Sequence, residues 1–519
     1  MTMEEAVMAG KTAEYHLPPI EIFEPMADET APAISEEEVE RVKSIIIKAT
    51  EGTNAKVSEL KFGVSANTLP RCVKVTIPGI TVKAGCSYDE WRITLQPRTR
   101  GKSVTREDLE TIIYGVFNAI GRYGHASVST DREDCPTRSH RCLVLQINRD
   151  YRKFLSLRRA FESEAWKEAD GVLPFVVGEG VGRRLVTADL AALPHLLVGG
   201  ATAQGKSVFL HGIIASLLCR QRPEDVKLLL VDTKDVEFDA YARLGKAFLA
   251  QMPDGGDAII DGVDKPVFAL NSLCAEIKLR STLMAKAEAG DLTSYNAAFA
   301  SGQIDAKDGH RHLPRIIMVI DEYADIVMTH GRAIETMVCD LAESGHEVGI
   351  HIIIATQRPT IQMVTSKIKD AFPACAAFRV AQSIDSRTLI DAEGAEVLTG
   401  MGDMIFCHAD SQERLQAPYV SPADIDRLVD YVRKACDAAG CGEGYALPMP
   451  SADDDKSGGI RINGAELDPL FDEASRFAKR AKGVTVEKLQ LKFVLGYNRA
   501  TRLLKQLVDA GIVSDEKQG

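Results

Sequence analysis

The chain has 519 residues, and 62 Lys and Arg against 74 Asp and Glu give it a formal net charge of −12. Its 45% hydrophobic and 26% charged residues are ordinary for a soluble globular protein, which excludes a fibrous or wholly disordered chain. The acidic balance would argue against nucleic-acid binding, but residues 1–40 alone hold eleven acids and one base. The remainder is therefore close to neutral, and net charge excludes no nucleic-acid function.

No feature of the sequence is typical of a secreted or membrane protein. Eleven cysteines without CxxC spacing favour scattered reduced thiols over a zinc site. No apolar run reaches the roughly 18–20 residues that span a bilayer, and the acidic N-terminus lacks the basic start of a signal peptide. We therefore expect a cytoplasmic protein without direct membrane insertion.

Changes in composition divide the chain into segments, in line with the roughly three domains that its length predicts. The predicted segments are an acidic disordered tail (1–35), a small α+β domain (36–165), an α/β domain (166–445), a linker (446–465) and a compact terminal module (466–519). Within the tail, Tyr15–Phe23 is apolar enough to dock elsewhere on the protein. Inside the small domain, Ser35 is a good N-cap for a helix over Glu36–Thr50, and a second helix is predicted over Asp108–Tyr123.

The α/β domain is predicted from short apolar runs that alternate with helical patterns. The runs are His195–Val198, Val226–Val231, Arg315–Ile320 and His351–Ile354. Continuous apolar strands between helices indicate a parallel sheet that is covered by helices on both faces.

A phosphate-binding loop follows the first of these strands. Gly200-Ala-Thr-Ala-Gln-Gly-Lys-Ser207 fits the pattern GxxxxGK[ST] and opens an apolar helix at Val208. The glycines let successive backbone N–H groups point at phosphate oxygens, beside the positive end of the helix. We expect Lys206 to reach the β- and γ-phosphates of ATP and Ser207 to ligate Mg²⁺. The predicted ATP-binding residues are Gly200, Ala201, Thr202, Ala203, Gln204, Gly205, Lys206, Ser207 and Val208.

Two further strands deliver polar side chains to the same edge of the predicted sheet. Arg315–Ile320 is followed by Asp321, a candidate Mg²⁺ ligand, and by Glu322, a candidate general base for the attacking water. Gln357 follows the strand His351–Ile354 closely and is a candidate sensor of the γ-phosphate or of the water. Lys206, Glu322 and Gln357 are thus the predicted catalytic residues.

Taken together, these residues resemble the FtsK/SpoIIIE family of double-stranded DNA translocases. The similarity consists of ordered blocks: Val186–Val198, Gly200–Ser207, Val231–Lys234, Tyr295-Asn296, Val319–Asp325, Gly349–His351, Ala355–Pro359, Ile384–Arg387, Gly400–Met404, Glu466–Asp472 and Gly496–Ala500. The resemblance implies a RecA-like P-loop ATPase motor, with an N-terminal α+β domain and a C-terminal winged-helix DNA-binding domain. It also implies a homo-hexameric ring around duplex DNA, with ATP at the subunit interfaces.

Some positions depart from the family pattern. Ala203-Gln204 stands where the family typically has Gly-Ser, and His346 and Cys375 stand where arginines are usual. The two missing arginines put in doubt the arginine that the family supplies to the ATP of a neighbouring subunit, or to DNA. Arg387 and Arg358 are the matched arginines that remain, and Lys369 matches a lysine near the family's DNA-facing region.

The terminal module carries the basic charge that the rest of the chain lacks. Residues 476–505 contain nine bases and one acid. Asn498, Arg502 and Lys505 lie on one face of a predicted third helix, which a winged helix presents to the major groove. Asn498, Arg499, Arg502 and Lys505 are the predicted DNA contacts, because Asn pairs with adenine and Arg with guanine.

Three functions remain open on the sequence alone. The first is an ATP-driven double-stranded DNA translocase for chromosomal or mobile-element DNA, whose candidate partners are a site-specific recombinase or a division or transfer protein. The second is a conjugative DNA pump or coupling ATPase. The third is a DNA-binding scaffold whose ATPase is impaired by Ala203, Gln204 and His346.

Overall fold

The computed structural model describes most of the chain up to residue 450. The described residues are 14–26 and 34–450, without 58, 63–74, 79, 100–101, 122–123, 130–140, 150–152, 235, 257–258, 410 and 442–443, and then Ala474, Phe477, Ala478, Lys488 and Lys492. Residues 1–450 form one compact unit and residues 451–519 another. Most of the predicted linker and terminal module therefore lies outside the described residues.

The first folded part is an antiparallel sheet with two helices. Helix α1 (Glu36–Ala49) begins where Ser35 Oγ accepts a hydrogen bond from the Glu38 backbone N–H, and α2 (Arg106–Ile120) begins with a capping box. The strands are β1 (Ala55–Val57), β2 (Glu59–Phe62), β3 (Val75–Pro78), β4 (Ile80–Ala84), β5 (Tyr88–Pro97), β6 (Gly124–Ser129) and β7 (Arg141–Asn148). Their order is β1-β5-β7-β6 with β4 also on β5, while β2 pairs with β3 alone.

A ten-stranded sheet forms the centre of the second part. The strands that follow β7 are β8 (Leu155–Ser156), β9 (Pro174–Glu179), β10 (Leu185–Asp189), β11 (His195–Gly199), β12 (Val226–Asp232), β13 (Ala250–Gln251), β14 (Ile260–Asp261), β15 (Arg315–Ile320), β16 (Ile350–Thr356), β17 (Ala374–Phe378), β18 (Asp403–His408), β19 (Ser411–Gln416), β20 (Pro418–Tyr419) and β21 (Tyr445–Ala446). The sheet order is β10-β9-β19-β18-β17-β11-β16-β15-β12-β14.

The six strands from β17 to β14 in this order are parallel, and the other four are antiparallel. Every residue of β11, β12 and β16 is buried, as expected for strands that are covered on both faces. The prediction of a parallel, RecA-like α/β sheet is confirmed.

Helices cover both faces of this sheet. They are α3 (Leu157–Glu162), α4 (Glu164–Lys167), α5 (Lys206–Leu218), α6 (Gly245–Phe248), α7 (Lys265–Lys286), α8 (Leu292–Ala300), α9 (Tyr323–His330), α10 (Arg332–Gly345), α11 (Ser366–Ala371), α12 (Ser383–Ile390) and α13 (Pro422–Ala439). None of the helices in the described part of the chain is long and apolar enough to cross a bilayer.

Residues 14–26, which we call the N-terminal strap, pack against the second part. Phe23 stacks edge-to-face on Phe161 at 5.3 Å, and Tyr15 lies 6.2 Å from Phe248. Both strap side chains are buried, and removing their aromatic area from water stabilises the docked strap. The prediction of a disordered tail is therefore wrong for these residues. The physical reason is that their apolar side chains dock on the second part of the protein.

Candidate active site

The phosphate-binding loop connects β11 to α5 at the carboxyl edge of the parallel strands. Gly200 has φ of 152°, and a Cβ atom there would lie 2.7 Å from the Phe378 Cβ. Gly205 has φ of 111°, and its Cβ would lie 2.7 Å from the backbone nitrogen of Gly402. Both positions thus require glycine, since a side chain would be strained and would also clash.

The unusual residues Ala203 and Gln204 fit the curl of this loop. Ala203 adopts the left-handed conformation, with φ of 59°. The Gln204 amide donates to the Thr202 carbonyl at 3.1 Å, and the Gln204 carbonyl accepts from the Gly402 N–H at 2.9 Å. These contacts hold the loop without the Gly-Ser pair that the family typically has.

Lys206 lies inside the loop. Its Nζ donates to the carbonyls of Gly200 and Ala201, each at 2.8 Å, and the residue is 5% exposed. Burial lowers the pKa of Lys206 to about 8, against the opposing effect of Glu322 and Asp321. The ammonium group therefore sits among carbonyls and carboxylates, where phosphate oxygens could replace part of its present hydrogen bonds.

Asp321 follows β15 and is 5% exposed. Burial raises the pKa of Asp321 to about 7, and the nearby carboxylates of Glu237, Asp232 and Glu322 add to the rise. Among the described residues, no side chain donates a hydrogen bond to its carboxylate. Buried oxygen ligands with excess negative charge suit a hard cation, so Asp321 and the Ser207 hydroxyl fit Mg²⁺.

Glu322 is held more firmly than Asp321. It is 2% exposed and accepts hydrogen bonds from the Thr356 hydroxyl at 2.9 Å and from the Gln357 backbone N–H at 3.1 and 3.2 Å. The Gln357 side chain in turn accepts from the Thr202 hydroxyl at 2.7 Å. The three predicted catalytic residues, Lys206, Glu322 and Gln357, thus meet at one site, with Gln357 joined to the phosphate-binding loop.

A cleft of about 650 Å³ opens at this edge of the sheet. One wall is the loop, and the other is mainly apolar. The lining residues are Met26, Phe154, Thr202, Ala203, Gly205, Lys206, Ser207, Val208, Glu237, Gln357, Met401, Gly402, Gln416, Ala417, Pro418 and Tyr419. A nucleotide is the class of ligand that this pairing of a phosphate loop with an apolar wall could take.

Sequence reasoning gave Asp232, at the end of a strand, only a weak signal and missed Glu237. Asp232 is fully buried, and its Oδ2 accepts the backbone N–H groups of Val236, Glu237 and Phe238 at 2.9, 2.6 and 3.0 Å. This cap fixes the loop that carries Glu237 into the cleft. The polar end of the strand β12 was a signal, but strand ends favour polar residues in general.

Arg387, Arg358 and Lys369 are not among the residues that line the cleft. Arg387 pairs with Glu393 at 2.5 Å, and Arg358 contacts the Met328 sulfur at 3.2 Å. The ammonium of Lys369 pairs with Asp391 at 2.5 Å, so Lys369 is not a surface lysine without a partner. The predicted DNA contacts Asn498, Arg499, Arg502 and Lys505 lie outside the described residues.

An arginine that was not predicted lies nearer to the loop. Arg379 is exposed and directly follows β17, and its carbonyl accepts a hydrogen bond from the Ala201 N–H at 2.9 Å. The two residues that stand where the family usually has arginine, Cys375 and His346, do not face the cleft. Cys375 is buried within β17, and the ring centre of His346 lies 6.3 Å from that of His195, the first residue of β11.

Comparison with known proteins identifies the family. The model of the FtsK/SpoIIIE family matches residues 156–361, and the model of the Ftsk gamma domain matches residues 465–519. The DNA translocase FtsK of Haemophilus influenzae is 31% identical over 467 residues, which cover 86% of this chain and 84% of that protein. The chain belongs to the FtsK/SpoIIIE family. Its C-terminal segment corresponds to the winged-helix domain of that family.

Other relatives are longer than this chain. The DNA translocase FtsK of Chlorobaculum tepidum is 36% identical over 364 residues, covering 69% of this chain and 44% of the relative. The chain thus spans less than half the length of that protein. A solved structure of the pCW3 conjugation coupling protein TcpA with ATPγS is 23% identical, with a TM-score of 0.45, and covers 73% of this chain and 96% of that one.

The buried carboxyl of Asp321 gives a prediction about stability. Replacing Asp321 with Asn should raise the Tm of the nucleotide-free, magnesium-free protein at pH 8 by about 2–4 °C. The folded pKa, about 7, exceeds the ordinary value of 3.8, so ionisation destabilises the fold progressively from pH 4 to 7 and fully above 7. The gain should accordingly be smaller at pH 5. Thermal unfolding of the unmodified chain and of Asp321→Asn at pH 5 and pH 8 measures this gain in Tm.

The exposed residue Asp308 supplies the control for this experiment. Replacing Asp308 with Asn removes the same charge without relieving burial, and should leave Tm nearly unchanged at both pH values. Equal gains for Asp321→Asn at pH 5 and pH 8 would show that the buried carboxyl is not the cause.

Proposed function

We propose that this chain is an ATP-hydrolysing motor that translocates double-stranded DNA through a homo-hexameric ring in the cytoplasm. The observation that carries the proposal is the buried set of Lys206, Asp321 and Glu322, whose charges act on one another beside the phosphate-binding loop, in a chain of the FtsK/SpoIIIE family. Relatives that are named DNA translocases support DNA as the substrate of the motor.

The geometry supports a division of labour at the site. Lys206 neutralises charge on the β- and γ-phosphates, and the N–H groups of the loop cradle the same oxygens. Ser207 and Asp321 would hold Mg²⁺, which would supply further neutralisation of phosphate charge. Glu322, fixed by Thr356 and Gln357, orients and polarises the attacking water.

The parts of the chain receive matching roles in the proposal. Residues 36–165 contribute to ring formation, residues 166–445 are the motor, and residues 446–465 link it to a winged helix at 466–519. Asn498, Arg499, Arg502 and Lys505 read the duplex there, and Lys369 faces DNA once it leaves Asp391. Arg387 or Arg358 acts on the ATP of a neighbouring subunit. A recombinase, or a division or transfer protein, is the partner class that the family resemblance suggests.

Displacement of a DNA triplex tests the motor directly. The full chain with ATP and magnesium should strip a third strand from a linear duplex, because a moving ring removes obstacles in its path. Lys206→Ala should bind the DNA and displace nothing. Displacement without ATP, or none in the presence of DNA-stimulated ATP hydrolysis, would contradict translocation. The assay monitors release of a fluorescent third strand over time.

A further inference from the structure

The apolar part of the cleft lining comes from three separate segments. Met26 comes from the N-terminal strap, Phe154 precedes β8, and Pro418 and Tyr419 form β20. The rings of Phe154 and Tyr419 lie 6.5 Å apart at an angle of 57°. Because β8 and β20 pair with each other, these two rings are held at the same edge of the cleft.

The side-chain amide of Gln416, which also lines the cleft, already forms hydrogen bonds within the protein. Gln416 Oε1 accepts a hydrogen bond from the Ser87 hydroxyl, and Gln416 Nε2 donates to the Met401 carbonyl at 3.0 Å. The wall therefore favours a flat, largely apolar group rather than a sugar or a charged group. A purine base that is joined to phosphates on the loop is such a group.

The strap is fixed to the motor next to Met26. The Glu24 backbone N–H donates to Asp424 Oδ1 at 2.9 Å, and the Glu24 carboxylate pairs with Arg427 at 2.9 Å. Arg427 also donates from Nε to the Ile22 carbonyl at 2.8 Å. Helix α13, which carries Asp424 and Arg427, thus positions the last turn of the strap at the mouth of the cleft.

We propose that Met26, Phe154 and Tyr419 form the seat of the purine base, so that the N-terminal strap is part of the nucleotide site. The inference rests on the proposed function and adds a subsite to it. A methionine thioether and two aromatic rings suit a base, since sulfur and π faces both pack well on a flat ring. Binding is reciprocal: a docked strap raises nucleotide affinity, and a bound nucleotide retains the strap.

Comparison of ATP with inorganic tripolyphosphate tests this subsite. Tripolyphosphate occupies the loop and lacks a base. Met26→Ala and Tyr419→Ala in the full chain should each weaken ATP binding by roughly tenfold and leave tripolyphosphate binding within about twofold. Arg427→Ala, which loosens the strap without changing a residue of the cleft, should likewise weaken ATP binding and leave tripolyphosphate binding nearly unchanged. Titration calorimetry with magnesium measures both ligands, and the Tm of each variant is recorded alongside.

The exposed residue Met449 is a matched control outside the cleft, and Met449→Ala should change neither affinity. Unchanged ATP binding by Met26→Ala and Tyr419→Ala would overturn the subsite. Parallel losses for ATP and tripolyphosphate would also overturn it, because the phosphate end would then be affected. If the unmodified chain binds tripolyphosphate and ATP equally, the base has no seat and the inference fails while the phosphate site stands. If it binds neither, the proposed function itself fails.

Discussion

Replacing Glu322 with Gln should lower DNA-stimulated ATP turnover by a factor of about 10²–10⁴, the usual range for loss of a general base. Glutamine has nearly the same shape, and its oxygen can still accept from Thr356 and Gln357. What it loses is the negative charge that polarises water. ATP binding should therefore remain within a few-fold, and steady-state hydrolysis with plasmid DNA measures the loss.

The control for this variant is Glu347→Gln, which removes a carboxylate from an exposed position of the same motor. Its turnover should match that of the unmodified chain. If Glu322→Gln hydrolyses ATP at the unmodified rate, the general base lies elsewhere, and the buried Asp321 would be the next carboxylate to examine. If it fails to bind ATP, Glu322 has a structural role in the cleft.

The phosphate end of the site could be predicted from the sequence because its geometry is local. The loop from Gly200 to Ser207 needs glycine at Gly200 and Gly205, where φ is positive and a Cβ atom would clash, and a pattern of eight residues records that need directly. Asp321 and Glu322 were predictable because a buried parallel strand places the residues that follow it at the ligand edge.

Contacts between distant parts of the chain were not predictable in the same way. Met26 reaches the cleft only because the strap is fixed by Asp424 and Arg427, about 400 residues further on. The Asp232 carboxylate accepts the Glu237 N–H and so fixes the loop that carries Glu237 into the cleft, a contact that no sequence periodicity reveals. Lys369 matched a family position, but its pairing with Asp391 depends on tertiary structure.

The two residues of the phosphate-binding loop that depart from the family pattern, Ala203 and Gln204, are compatible with ATP hydrolysis. Ala203 adopts φ of 59°, and Gln204 makes two hydrogen bonds within or beside the loop. Gln204 thus supports the conformation that presents Lys206, and Ala203 adopts it at a cost of roughly 1–2 kcal/mol, because the left-handed region disfavours a residue with a Cβ atom. The loop residues Ala203 and Gln204 therefore give little support to the hypothesis of a scaffold with an impaired ATPase. What remains to be identified is the arginine that a neighbouring subunit supplies.

Replacing Lys206 with Ala should weaken ATP binding by roughly a hundredfold, which corresponds to about 3 kcal/mol for loss of a buried charged partner. The control is Lys307→Ala, whose side chain is 89% exposed and lies outside the cleft lining. ATP affinity of that variant should equal that of the unmodified chain. Titration of each protein with a fluorescent ATP analogue at pH 7.5 gives the dissociation constants.

The pH dependence of binding identifies the lysine as the cause. With EDTA present, ATP affinity of the unmodified chain should fall as pH rises from 7.5 to 9.5, because the pKa of Lys206 is about 8 and phosphate binds the ammonium form. Ionisation of Asp321, with a pKa of about 7, acts in the same direction through repulsion. Lys206→Ala should retain only that shallower dependence. An equal slope in both proteins would assign the pH effect to the carboxylates, and Lys206 would then bind phosphate with an ordinary pKa.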